Sequence, residues 1–93
     1  MTSQESPFSV LDAPNVVLDA VEKSEDSGEF VLRLLEGDGE QANARIRGAH
    51  RIVQARRGNT VEDALEELPI AADGCVAVSF RPFEVVILIL TLG

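Results

Sequence analysis

The chain has little of what catalytic and sugar-binding sites are usually built from: no Trp, no Tyr, one Cys and one His. Lys and Arg together number 8 against 16 Asp and Glu, so the formal net charge is −8. Nucleic-acid binding needs a net basic surface, and this composition therefore argues against a nucleic-acid partner. Exposed Trp and Tyr rings are the usual stacking platforms for sugars, so a conventional carbohydrate-binding module is not expected.

Long hydrophobic runs and cysteine pairs are lacking as well. The longest unbroken apolar run, residues 85–90, is far shorter than the ~20 residues of a membrane-spanning helix. The first six residues have neither the basic nor the apolar region of a signal peptide. Cys75 stands alone, which excludes a disulfide framework and fits a reducing compartment. We therefore expect no membrane partner and a cytoplasmic location.

The chain does contain 45% apolar residues in a length of 93, which predicts one small folded domain. Short segments that alternate apolar and polar residues, or are rich in β-branched residues, are separated by turn signals; they cover residues 16–21, 30–36, 42–47, 50–56, 76–80 and 84–92. This pattern predicts an all-β fold, an antiparallel β-sandwich of about six to seven strands. The polar start predicts a flexible segment over residues 1–12, followed by the folded domain over residues 13–93.

One segment has a helical pattern instead. Val61, Leu65 and Leu68 recur at helical spacing after a candidate N-cap at Thr60, and Pro69 ends the pattern. Propensity alone therefore predicts one or two helical turns over residues 60–68.

The last predicted strand is apolar on both faces. Val86, Leu88, Leu90 and Leu92 line one side, and Val85, Ile87, Ile89 and Thr91 line the other. The opposite sheet of the sandwich covers one side. The second side needs a loop of the domain, another subunit or another domain of a longer polypeptide, because a bare run of this kind is prone to aggregate.

Few residues are suited to catalysis or metal binding. His50 has no second His and only one distant Cys, so it is interpreted as an ordinary strand histidine. Cys75 is interpreted as a small packed hydrophobe. The acids cluster in turns, which favours solvated surface groups over the paired carboxylates of a glycosidase.

The cations are unevenly distributed. Five of the eight fall between positions 45 and 57, with no acid among them: Arg45, Arg47, Arg51, Arg56 and Arg57. Strand arginines that pair with the acidic turns are the simpler interpretation. An anion-binding patch is the alternative, in which the chain is a free-standing interaction or carbohydrate-binding module that uses this region.

Three stretches resemble, in order, the C-terminal β-domain of glycoside hydrolase family 38 α-mannosidases. The first runs from Ala13 through a strand to Val21, then through an acidic turn and a second strand that ends in Arg-Leu-Leu-Glu at Glu36. The second is the Asn-Thr-Val-Glu element at residues 59–62, and the third is the Arg-Pro-Phe-Glu-Val element at residues 81–85. The residues that match the family's motifs are Asn15, Glu25, Asp26, Arg33, Glu36, Asn59, Glu62, Pro82, Phe83 and Glu84.

The resemblance implies a non-catalytic structural domain, with no catalytic, cofactor-binding or metal residue in this chain. The parent enzyme would be a zinc-dependent retaining glycosidase whose zinc lies in a separate catalytic domain. The implied partners are the other domains of that enzyme, contacted through the apolar last strand, with room for a carbohydrate contact at the rim of the substrate cleft. The motif residues are expected to be structural, with Phe83 anchoring the core. The resemblance also implies an extended segment over residues 59–63, which leaves any helical turn to residues 63–68.

Overall fold

The computed structural model describes residues 7–24, 28–58 and 66–93. These ranges contain eight β-strands and no helix, so the predicted all-β class is confirmed, with more strands than the six to seven expected. The strands are β1 (Phe8–Leu11), β2 (Val16–Lys23), β3 (Glu29–Glu36), β4 (Ala42–Gly48), β5 (Ile52–Gly58), β6 (Glu66–Leu68), β7 (Val76–Phe80) and β8 (Val85–Leu92).

The strands form two antiparallel sheets. The small sheet has the order β1-β4-β7, and the large sheet has the order β2-β3-β8-β5-β6. The middle strand is β4 in the small sheet and β8 in the large sheet, and each is flanked on both sides. Since both sheets are antiparallel and pack face to face, the fold is the predicted sandwich.

The hydrophobic core lies between the two sheets. It is built from alternate residues of each strand, as the pleat requires. The small sheet contributes Ile46, Val78 and Phe80, and the large sheet contributes Leu34 and Leu88, all nearly or fully buried. Phe8 of β1 meets Phe30 of β3 edge to face across the core, with ring centroids 5.2 Å apart.

Two sequence-based predictions about local structure are wrong. Strand β1 lies inside the segment predicted to be flexible, because the buried ring of Phe8 and the pairing of β1 with β4 hold it in the small sheet. Residues 66–68, expected in a helical turn, form strand β6, which pairs with Ala55, Arg56 and Arg57 of β5. Pairing with a sheet edge thus overrides the helical propensity there; the rest of the predicted helix lies outside the described residues.

A β-bulge changes which residues of β2 face the core. The register of β2 against β3 shifts between Leu18 and Ala20, leaving Asp19 as the extra residue. Strict alternation predicts Ala20 on the same inward face as Val16 and Leu18. The bulge instead turns Ala20 to solvent and Val21 toward the core. Asp19 and Ala20 therefore both lie on the outer face of the large sheet.

Candidate functional site

A buried carboxylate joins three loops at one end of the sandwich. Glu36, the last residue of β3, is fully buried. Its two oxygens accept five hydrogen bonds, from Asn15 Nδ2 (2.7 Å) and from the backbone N–H groups of Asp38 (2.9 Å), Gly39 (2.7 Å), Glu40 (3.0 Å) and Phe83 (2.8 Å). The donors belong to the segment before β2, the β3–β4 loop and the β7–β8 loop. We call this arrangement the Glu36 junction.

The junction keeps Glu36 ionised. Burial raises the pKa of the Glu36 carboxyl, but the hydrogen bonds from Phe83, Asn15, Asp38 and Gly39 outweigh burial and lower that pKa to about 2. Every donor favours the charged form, and no cation is needed to balance it. The carboxylate acts here as a structural acceptor that organises loops.

The junction holds an exposed aromatic side chain in an unusual backbone conformation. Phe83 has a φ of 59° and 68% of its surface exposed. Its turn is closed by two hydrogen bonds, from Glu84 N–H to the Arg81 carbonyl (3.0 Å) and from Arg81 N–H to Glu84 Oε1 (2.8 Å). A positive φ is costly for a bulky residue and persists only where the surroundings impose it. The prediction that Phe83 anchors the core is therefore wrong, because the turn directs the ring to the surface.

Gly39 makes room for that ring. A Cβ at Gly39 would lie 2.8 Å from two ring atoms of Phe83, and Gly39 itself has a φ of 79°. Both conditions favour glycine. The β3–β4 loop and the β7–β8 turn thus fit against each other around the ring of Phe83.

The outer face of the large sheet carries an apolar surface that begins beside this turn. The strand register aligns Val17, Leu35 and Val85 in one row across β2, β3 and β8. Val17 is 48% exposed and Val85 is 44% exposed. Leu35 between them is half-buried. Apolar side chains aligned in this way on neighbouring strands, two of them exposed, mark a contact surface more often than isolated ones do.

This surface continues along the middle of strand β8. Ile87 and Ile89 point to the outer face, yet each is only 8% exposed within the chain itself. The neighbouring strands supply that cover, so the centre of β8 needs no second subunit. Ile87 lies in a shallow groove of roughly 390 Å³ whose other walls are Ala20, Glu22, Val31 and Arg33. We call the row and this groove together the apolar outer face.

The outer face of the small sheet is polar by contrast. Its exposed residues are Ser9, Asn43, Arg45, Arg47, Ala77 and Ser79. Arg45 donates from Nε to Asp12 (2.6 Å) and from Nη1 to Asp73 (3.1 Å). The hydrogen bonds to Asp12 raise the pKa of the Arg45 guanidinium, and the N–H of Cys75 lowers the pKa of the Asp73 carboxyl.

Three of the five clustered arginines pair with acids, which supports the simpler interpretation for those three. Besides Arg45, Arg56 Nη2 lies 2.7 Å from Glu29, and Arg57 Nη2 lies 3.5 Å from Glu84. Arg47 and Arg51 have no ion pair with any of the described residues. The cluster is therefore divided between paired and unpaired cations.

The structure brings together four of the residues that matched the family's motifs: Asn15, Glu36, Phe83 and Glu84. Pro82 precedes Phe83 in the same turn and is exposed, while Arg33 lies on the apolar outer face, where it bonds Asp19. Glu25, Asp26, Asn59 and Glu62 lie outside the described residues. The sequence reasoning missed Gly39; the only signal for it was a Gly-Asp-Gly turn after β3.

The other residues considered for chemistry are Cys75 and His50. Cys75 is a buried free thiol, as expected of a small packed residue. His50 lies in the β4–β5 turn and is exposed, so the prediction of a strand histidine is wrong. Within residues 7–24, 28–58 and 66–93, no three His, Cys, Asp or Glu side chains are grouped to hold a metal ion. The same ranges contain no helix long and apolar enough to cross a membrane.

Comparison with known families agrees with this geometry. Residues 15–86 match the family model described as the glycosyl hydrolases family 38 C-terminal beta sandwich domain. The chain belongs to this family. The match begins at Asn15 and includes Glu36, Gly39 and Phe83, so the whole Glu36 junction lies inside the family 38 domain.

Membership fixes the general role of the chain. A C-terminal β-sandwich domain is non-catalytic in itself, so the chain is a structural domain of a family 38 enzyme and the other domains of that enzyme are its expected neighbours. A search of curated proteins gives no significant match to the chain.

Proposed function

We propose that this family 38 domain completes the architecture of an α-mannosidase-like enzyme by packing against its other domains through the apolar outer face. The observation that carries the proposal is the apolar row of Val17, Leu35 and Val85, exposed at Val17 and Val85, which continues into the groove at Ile87. The parent enzyme would hydrolyse α-mannosides, and this domain would hold its other domains in position and stabilise them.

The chemistry of the two outer faces supports this choice of surface. Burial of apolar area contributes roughly 25 cal/mol per Å² to association, whereas the ion pairs of the small sheet are already satisfied within the chain. Phe83 stands at the edge of the apolar outer face on a turn fixed by the Glu36 junction. A rigid aromatic side chain is a suitable anchor for a pocket on a neighbouring domain because little side-chain freedom is lost on binding.

The zinc ion that the family implies is not assigned to this chain. The described residues offer no cluster of His, Cys, Asp and Glu for it, and the proposal leaves the metal and the catalytic carboxylates to the catalytic domain. A carbohydrate contact at the rim of the substrate cleft stays a prediction, and we assign no residue to it.

The test uses the complete enzyme polypeptide that contains this domain. Val85→Asp places a charge in the apolar outer face, and Ala77→Asp places the same charge on the outer face of the small sheet as a matched control. We expect Val85→Asp to lower the thermal stability of the enzyme and its turnover of an aryl α-mannoside, while Ala77→Asp leaves both unchanged. Limited proteolysis would show the 93-residue domain released from the Val85→Asp enzyme.

Equal effects of the two substitutions would contradict the proposed packing surface. The isolated chain gives a second check, since it should not hydrolyse the aryl α-mannoside with or without added zinc. Zinc-dependent turnover by the chain alone would overturn the non-catalytic role.

A further inference from the structure

A cleft lies at the end of β4 opposite the Glu36 junction. It opens between the β4–β5 turn and the loop at residues 70–74, which precedes β7, and its volume is roughly 720 Å³. Clefts of this size accommodate molecules larger than an inorganic ion. The turn is fixed in place by the hydrogen bond from Ala49 N–H to the Pro7 carbonyl (2.7 Å), and the loop by the hydrogen bond from Ala71 N–H to the Cys75 carbonyl (2.9 Å).

The rim of the cleft is basic. Arg47, His50 and Arg51 line it, and all three lie within residues 47–51, at the end of β4 and in the β4–β5 turn. The ion pairs among residues 7–24, 28–58 and 66–93 engage Arg33, Arg45, Arg56 and Arg57 and leave Arg47 and Arg51 out. Acids outnumber bases two to one in this chain, so two arginines that line one cleft without an acidic partner are unexpected for simple surface residues.

The one acid in the cleft does not neutralise this rim. Asp73 lines the cleft, but its Oδ2 accepts a hydrogen bond from Arg45 Nη1 (3.1 Å) and its Oδ1 accepts one from the Cys75 N–H (3.0 Å). Its charge is thus directed to Arg45, which is outside the cleft lining. The positive charge of Arg47 and Arg51 remains available to a ligand.

The remaining lining is apolar. Ile70, Ala71 and Ala72 contribute from the loop before β7, and Ile52 and Val53 contribute from β5, with Val53 exposed at the register shift of that strand. A basic rim over apolar walls suits a ligand with an oxyanion at one end and a less polar body at the other. Arginine is well suited to the oxyanion because its planar group donates paired hydrogen bonds to phosphate and carboxylate.

We propose that this cleft binds a small oxyanion-bearing ligand, with a phosphate or carboxylate group held by Arg47 and Arg51 and the body of the ligand against Ile70 and Val53. The site is separate from the apolar outer face, so the proposal stands or fails independently of the packing role.

The first experiment is a titration of the isotopically labelled 93-residue chain, followed through its backbone amide resonances. The probes are inorganic phosphate, glucose 6-phosphate, glucuronate and uncharged glucose. We expect saturable shifts of amides in residues 47–53 and 70–74 with a dissociation constant on the order of 1 mM for at least one anion, and none with glucose. Tightest binding of glucose 6-phosphate or glucuronate identifies a sugar-borne oxyanion, and tightest binding of phosphate identifies the free ion.

The second experiment tests the residues. The double variant Arg47→Gln/Arg51→Gln should weaken anion binding by roughly tenfold or more, the loss expected for charge-assisted hydrogen bonds. Arg81→Gln removes an exposed arginine near the opposite end of the sandwich and should leave binding unchanged. Both arginines of the double variant are exposed, so an unaltered amide spectrum elsewhere is expected and shows that it folds. Absence of saturable shifts with every anion up to about 20 mM would overturn the proposal, as would equal weakening by Arg81→Gln.

Discussion

The outer faces of the two sheets differ in what they expose, although both sheets are antiparallel and cover the same core. On the small sheet, the outward residues of the central strand β4 are Asn43, Arg45 and Arg47. On the large sheet, the outward residues of the central strand β8 include Val85, Ile87 and Ile89. One face is suited to water, while the other is suited to contact with protein.

This difference shows that the position of a strand in a sheet does not by itself decide how its outer side is used. β4 and β8 are both flanked on two sides, but only β8 buries outward side chains at its middle. Its neighbours β3 and β5 carry Val31, Arg33 and Arg56 beside Ile87 and Ile89. The apolar stems of long cationic side chains cover such residues while their charged groups remain near water.

The largest expected effect contrasts one outward residue from each of these two faces. Ile87→Ala should lower the free energy of unfolding by about 2 kcal/mol, because it removes a side chain that the neighbouring strands cover almost completely on the outer face. Arg47→Ala, near the end of β4 on the outer face of the small sheet, should change it by less than about 0.5 kcal/mol. Urea denaturation of both variants measures the difference, and similar values would show that the outer side of β8 is not part of the folded core.

The next effect contrasts the buried carboxylate of Glu36 with the exposed ion pairs of Arg45. Glu36→Gln replaces one of the two acceptor oxygens by an NH₂ group, which then faces N–H donors instead of accepting from them. The melting temperature at neutral pH should therefore fall by on the order of 10 °C. Arg45→Gln should lower it by only a few degrees, because its partners remain hydrated.

The pH dependence of stability provides an independent check on Glu36. The pKa of Glu36 is about 2 in the folded chain and near the ordinary 4.5 in the unfolded chain. Its contribution to stability is therefore fully present above pH 4.5 and is lost as the pH falls toward 2. Glu36→Gln should flatten the melting-temperature curve in that window; an unchanged slope would contradict the assignment.

A smaller effect contrasts two loop glycines. Gly39 and Gly74 both have a positive φ, of 79° and 87°, but only Gly39 lies against another side chain, the ring of Phe83. Gly74→Ala should cost about 1 kcal/mol for backbone strain, and Gly39→Ala should cost about 1 kcal/mol more because the ring must move. Adding Phe83→Ala should remove the extra cost; if it does not, the ring does not rest on Gly39.

The smallest effect concerns the exposed apolar row. Val85→Thr should alter the free energy of unfolding of the isolated chain by less than about 0.5 kcal/mol, because that side chain is largely exposed. It should nevertheless reduce the binding of a hydrophobic dye, whereas Ala77→Ser on the other sheet should not. A loss of dye binding in the Ala77→Ser variant would contradict the assignment of the apolar surface to the large sheet.

Much of the fold was predictable because most strands alternate cleanly. The pattern of Ala42, Ala44 and Ile46 predicted β4 and its inward face, and the apolar residues on both sides of residues 85–92 predicted a strand that needs cover on both faces. The prediction failed at Ala20 and Val21, where a bulge shifts the alternation by one residue, and at Phe8, which was assigned to a flexible N-terminal segment. The bulge is not visible in local periodicity, because it depends on pairing with a distant strand, and a four-residue strand such as β1 is a weak local signal until its pairing with β4 is known.

The candidate site was predictable as a set of matching residues but not as a structure. Asn15, Glu36 and Phe83 were selected through family resemblance, and they do meet at one end of the sandwich. Phe83 was expected in the core because it is a large apolar residue before an apolar strand. Its exposure follows from the turn that Glu36 and Glu84 hold together, and the partners of that turn are far apart in sequence.

The sequence by itself determined the all-β class, the positions of most strands and membership in the family 38 C-terminal domain, since these depend on local alternation and on motif order. Tertiary structure alone decided that Glu36 is a buried acceptor for three loops, that Phe83 is exposed, and that Arg47 and Arg51 share a cleft while Arg45, Arg56 and Arg57 pair with acids. Each of these outcomes depends on which distant segments meet, and hydrogen bonds and ion pairs form between neighbours in space whatever their distance along the chain.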